Sequence, residues 1–179
     1  MAYVVKSRAM GGNRPRRTDA ELEYGFEGTD YGMRQLLWSG VLLSEPASFH
    51  WAPQGVMSGP IEPWVRNALI ESFLNNARRL AWFLHGAHEK DAYAGDYLGS
   101  WCGRPAVGPI IGRVSDALSH ARYKGKPEPY KFRSIVDPIA DGMLDFIDDL
   151  GGADSAWHGR FQPLTELIDA IRLSIHDIT

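Results

Sequence analysis

The chain has 179 residues, enough for one domain with a substantial core, and its 44% hydrophobic and 23% charged residues are ordinary for a globular protein. One cysteine, Cys102, excludes an intrachain disulfide and an all-cysteine zinc site and suits a reducing compartment. No apolar run approaches membrane-spanning length and the start, MAYVVKSRAMGG, has too short an apolar run for a signal peptide, so we expect a cytoplasmic protein with no membrane partner.

The net charge of −3 is unevenly spread: residues 1–17 carry +5, 18–65 carry −6, 66–133 carry +5 and 134–179 carry −7. Positive charge gathers towards Arg122, Lys124, Lys126, Lys131 and Arg133. Such a patch either meets phosphates or is a solvated face balanced by the acidic segments.

In chain order, residues 1–17 read as a basic flexible arm with the turn-formers GGNRPRR, ahead of one domain over 18–179. Thr18-Asp-Ala-Glu21 fits a capping box opening a short helix that stops at Gly25. A second helix spans Asp30 to Ser44, with Met33, Leu36, Leu37, Val41 and Leu42 inward and Pro46 ending it. Residues 46–63 hold four prolines and form a long irregular connection. Its Phe49, His50 and Trp51 either pin it to the body, stack on a base or anchor a partner.

The helix from Pro63 to about Leu84 carries an apolar stripe of Ile70, Phe73, Ala77, Leu80, Ala81 and Leu84. A second stripe at the same step is Glu71, Asn75, Arg78 and Trp82. His85-Gly-Ala-His88 lacks regular metal-ligand spacing, so neither metal nor cofactor is expected. Residues 86–108 form a second long loop, docked by Tyr93, Tyr97 and Trp101. A helix follows from Gly108 towards Lys126, with Pro109 in its first turn and Ile110, Ile111, Val114, Leu118 and Ala121 inward. Asp137-Pro138 reads as the cap and first residue of another helix, which buries Ile139, Met143, Phe146, Ile147 and Leu150 and stops at Gly151-Gly152. Its Asp141, Asp145, Asp148 and Asp149 face solvent. A last helix covers Pro163 to about Ile178. With no β alternation, repeat or phosphate loop, the fold class is all-α: a single-domain helical bundle of about five helices with two long loops.

Arg113 and His120, seven apart, point nearly the same way from their helix. An imidazole can pass a proton near neutral pH, and a guanidinium grips a phosphate with paired hydrogen bonds. The pair therefore suits RNA cleavage without a metal, His120 moving a proton and Arg113 neutralising the phosphate. Helical side chains lean towards the N-terminus, so an antiparallel second copy would bring the Arg of one subunit to the His of the other. If the stripe on the preceding long helix faces this edge, Glu71 or Asn75 orients the imidazole and Arg78 adds a phosphate contact. Otherwise these three form an exposed hydrogen-bond ladder.

The spacing Arg113-x6-His120 on a late helix resembles the Arg-x4–6-His signature of the HEPN superfamily, small all-α proteins often found in toxin–antitoxin and antiphage systems. Residues 67–83, NALIESFLNNARRLAWF, are similar to the preceding helix of a group of bacterial proteins with that fold, at Glu71, Ala77-Arg78 and Phe83, followed by Asp96-Tyr97…Trp101. The resemblance covers residues 62–150. It implies a metal-independent endoribonuclease, a toxin or antiphage effector acting on RNA as a homodimer. Arg113 and His120 would be catalytic, and Glu71, Asn75, Arg78, Arg122 and Lys124 would bind or orient the substrate. The resemblance also implies a protein partner or antitoxin. Val114 follows Arg113 where active members often carry Asn, Asp or His, which favours the alternative of a catalytically inactive bundle that binds RNA or protein within such a system. A third reading is a helical scaffold in which the spacing is accidental.

Overall fold

Among the described residues seven helices follow one another: α1 (Asp19–Ser44), α2 (Pro63–His85), α3 (Ala94–Tyr97), α4 (Gly108–Ala121), α5 (Arg133–Gly152), α6 (His158–Phe161) and α7 (Leu164–Ser174). The structure is a computed structural model that describes residues 16–44, 63–86, 92–121, 131–153 and 155–176; the side chains of residues 63, 64 and 119–121 lie outside that description. Five of the helices are long and two are single turns, and no strand occurs among the described residues. The protein is thus an all-α helical bundle. Among the described residues no helix is long and apolar enough to cross a membrane.

At the centre lies α2, which packs against α1, α4 and α5. Its Phe73, Leu74, Ala77, Leu80, Ala81 and Leu84 are wholly excluded from solvent, as their three- and four-residue spacing predicts. The helix ends because Gly86 adopts φ +77°, a left-handed conformation that glycine takes without Cβ strain, and donates its N–H to the Trp82 carbonyl at 2.9 Å. α7 packs on α1 and α5, while α6 packs on α5.

The expected break in the first helix is absent. α1 runs unbroken through Gly25, because that glycine serves close approach rather than termination. A Cβ there would stand 2.5 Å from both the Tyr97 hydroxyl and the Ala92 methyl. Through this gap the Tyr97 hydroxyl donates to the Leu22 carbonyl at 2.6 Å. Burial pushes the Tyr97 hydroxyl pKa far up, Asp96 adding to the effect, so it stays a donor. The capping box at the start forms as expected: Thr18 N–H donates to Glu21 Oε2 at 2.8 Å, and Glu21 N–H donates to Thr18 Oγ1 at 3.3 Å.

The second correction concerns α5, which begins at Arg133 and carries Pro138 inside it, rather than starting at Pro138. Phe132, Ile135 and Val136 are buried and continue the apolar stripe upstream, so packing favours the extra turn. α7 ends at Ser174, short of the expected Ile178, with Ile175 already extended, and it buries Leu164, Ile168 and Ile171 along one face with Ile175 beyond its end. The acidic face of α5 is not only solvated: Arg104 pairs with Asp145 at 3.0 Å, and Arg172 pairs with Asp141.

An aromatic cluster fastens the loop and short helices to α2. Phe146 meets Phe161 at 5.1 Å, Trp101 at 5.3 Å and Phe83 at 5.4 Å between ring centroids, all edge to face. The Trp101 indole N–H donates to the Leu84 carbonyl at 2.9 Å, so Tyr97 and Trp101 dock this loop as expected. The 46–62 connection with Phe49, His50 and Trp51, and the arm through residue 15, lie outside the described residues. Because Phe146 touches rings from several elements, Phe146→Ala should cost about 3–5 kcal/mol of stability in urea titrations followed by far-ultraviolet circular dichroism. A loss below about 1 kcal/mol would show that the cluster does not hold the bundle together.

Candidate functional site

Once α2 has committed its apolar stripe to the core, one arc remains for chemistry: Glu71, Asn75, Arg78, Arg79 and Trp82. Most of that arc opens into a groove of about 960 Å³, walled by the first turns of α1 and the last turns of α2. Ala92 and Tyr93 also line it, and Ser115 of α4 contributes from another side. That volume lies in the range of small-ligand sites, on the order of 300–1,000 Å³.

Three guanidinium groups line the groove: Arg17, Arg78 and Arg79. The Arg78 Nη2 donates to Asn75 Oδ1 at 3.2 Å, which leaves the other donors of this fork available. The Arg79 guanidinium lies over Gly28 of α1, in the space that a Cβ there would enter. Neither Arg78 nor Arg79 has a carboxylate partner among the described residues. Arg17 pairs with Glu21 at 3.1 Å and lies 3.9 Å from Asp96. Glu21 titrates below the usual carboxylate range, chiefly because it accepts the Thr18 backbone amide, then the Thr18 hydroxyl and Arg17. Between the cations stand aromatic surfaces: Tyr24 is 75% exposed, and Trp82 and Tyr93 are half-buried. Cationic forks beside flat π faces suit a ligand that carries phosphates and planar bases.

Arg113 lies elsewhere. Residues 113 and 115 are about 200° apart on an α-helix, and it is Ser115 that lines the groove. Arg113 is exposed and donates from Nη2 to the Ser134 carbonyl of α5 at 3.3 Å. The reason lies in α5. Ser134 would normally receive the N–H of residue 138, and Pro138 has none. Arg113 therefore supplies the donor that a proline removes.

The structure thus brings Asn75 and Arg78 together with Ser115, while Arg113 is directed to α5. Glu71 is exposed and does not line the groove. His120 belongs to the helical backbone of α4, but its side chain lies outside the described residues, as do Arg122 and Lys124. Arg79, Tyr24 and Ser115 were missed by sequence reasoning. The tandem Arg78-Arg79 and the glycines Gly25 and Gly28 were the available signals, the glycines being legible only once α1 was known to be continuous. Among the described residues no three His, Cys, Asp or Glu side chains gather as a metal site would require. With the class settled as an all-α bundle, comparison of the chain with protein-family models, curated proteins and solved structures finds no match.

A double-mutant cycle tests the role given to Arg113. Arg113→Ala should cost about 0.5–1 kcal/mol beside Pro138 and close to nothing in a Pro138→Ala background, where the helix supplies its own N–H. Additive effects of the two changes in denaturant titrations would contradict this role.

Proposed function

We propose that the protein binds single-stranded RNA in the groove between α1 and α2, the RNA-binding, non-catalytic role among those the HEPN resemblance implies. The observation that carries this reading is the set of three arginines, Arg17, Arg78 and Arg79, interleaved with Tyr24, Trp82 and Tyr93 in one open groove. Guanidinium groups bind phosphate oxygens bidentately, and aromatic faces accept unstacked bases of any sequence. Asn75 and Ser115 add groups able to hydrogen-bond a ribose hydroxyl or a base edge. The choice of RNA over DNA rests on the resemblance. On this reading the protein serves as a subunit of a defence or toxin–antitoxin system in the cytoplasm, alongside a protein partner.

A second reading keeps the endoribonuclease. Arg113 is exposed and spends one donor on Ser134, so its remaining N–H groups can meet a phosphate. His120, two turns on, would take the 2′-OH proton, and two subunits would complete the site. The buried Val114 after Arg113 weighs towards the binding role, since it packs into the core and offers the phosphate no polar group.

Fluorescence anisotropy with a single-stranded RNA oligonucleotide in EDTA separates these. Arg78→Ala/Arg79→Ala should weaken binding about tenfold or more and flatten the log–log salt dependence by about 1.4, the share of two phosphate contacts. His120→Ala should leave binding unchanged, and the wild type should leave the RNA intact. Unaltered binding by the double-arginine variant would contradict the groove, and cleavage lost with His120→Ala would establish the nuclease.

A further inference from the structure

The four exposed large hydrophobic residues among those described are Tyr24, Tyr31, Trp38 and Leu173, and three of them lie on one line of α1. Tyr24, Tyr31 and Trp38 are seven residues apart, two helical turns at each step, and are 75%, 55% and 64% exposed. Between them, also exposed, stand Glu27 and Arg34. The stripe 24–27–31–34–38 alternates steps of three and four, the pattern of a helix that packs on another helix. The opposite side of α1 already meets that need: Met33, Leu36 and Leu43 are buried where α1 packs on α2 and α7. α1 therefore has a second helix-packing face that the bundle leaves uncovered.

We infer that this face is the seam of a homodimer, in which α1 of a second copy lies antiparallel along it about a two-fold axis at Tyr31. Charge selects both the occupant and its direction. Glu27 stands four residues before Tyr31, and Arg34 three after it. Inverting the helix about Tyr31 sets each Glu27 within one residue, about 1.5 Å of rise, of the level of the other copy's Arg34. A parallel pair would oppose Glu27 to Glu27 and Arg34 to Arg34. Glu27 has no ion-pair partner among the described residues, and Arg34 is already held upright by Asp30 at 2.9 Å. The same inversion stacks Tyr31 on its counterpart and places Tyr24 opposite Trp38 at both ends, giving aromatic pairs along the whole contact.

The area is adequate. With about 150–250 Å² per aromatic side chain, the exposed fractions amount to on the order of 400 Å² per copy, half of the about 800 Å² that each side of a standard interface buries. Glu27, Arg34 and the surface between the rings supply more. The seam also reaches the groove, because Tyr24 belongs to both. The second copy thus brings its Trp38 to the groove mouth as a further stacking surface. The two grooves sit about 21 Å apart along the seam, and one strand that engages both gains avidity.

Sedimentation equilibrium and light scattering across a concentration series test this. The wild-type chain should reach twice its 19.9 kDa mass. Tyr31→Glu should remain a monomer with unchanged helical circular dichroism. Glu27→Arg and Arg34→Glu should each weaken the dimer about tenfold or more, and combining them should recover most of the loss. A monomeric wild type, a dimer indifferent to Tyr31→Glu, or charge reversals that add rather than compensate would each overturn the seam. RNA binding depends on Arg78 and Arg79 and is measured separately, so failure of that reading and failure of the seam are distinguishable.

Discussion

The arrangement depends on the burial of α2. With Phe73, Leu74, Ala77, Leu80, Ala81 and Leu84 all at zero exposure and α1, α4 and α5 packed around it, this helix has one narrow arc left to present. Fully burying each large side chain contributes about 1.5–3 kcal/mol, so the orientation of α2 is far better determined than any surface contact. Arg78, Arg79, Asn75 and Trp82 occupy the remaining arc because the core has claimed the rest. The groove is a consequence of how α2 must turn.

The same logic explains Arg113. α4 enters the bundle through Ile110 and Val114, both wholly buried, and this fixes which way its polar residues point. Arg113 is turned towards the first turns of α5, where Pro138 leaves the Ser134 carbonyl without its helical donor. A guanidinium two residues from the groove residue Ser115 is thereby used on the opposite side of its helix. Spacing along a helix gives relative direction, but the residues that pack decide which side is which.

Much of the architecture was legible in the amino-acid order. The α2 stripe, the inward set of α5 from Ile139 to Leu150 and the docking of Tyr97 and Trp101 could be read from periodicity and from the bulk of aromatic residues in a glycine-rich loop. The start of α1 was legible too, since Thr18 and Glu21 form a local motif whose geometry is contained in four residues. Boundaries that depend on distant contacts were not. Gly25 reads locally as a helix stop, and only the approach of Tyr97, far along the chain, shows that the glycine makes room instead. Pro138 reads as a first helical residue until Phe132, Ile135 and Val136 are seen to be buried upstream of it. For the site, Asn75 and Arg78 were identified from their shared stripe. Arg79 lies off that stripe, and Tyr24 sits beside the glycine that reads locally as a helix end.

What unites these observations is a division of labour between two helix faces. α2 presents cations and an indole to a groove, while α1 closes that groove and carries an aromatic line on its outer side. The central claim is that RNA meets the α2 arc and not the α4 edge. Nuclear magnetic resonance titration with a short single-stranded RNA reads this directly. We expect the Trp82 indole N–H and the backbone amides of residues 75–82 to shift on binding, with those of α4 around Arg113 unmoved. Shifts centred on Arg113 and its neighbours, with the 75–82 amides unchanged, would contradict the account.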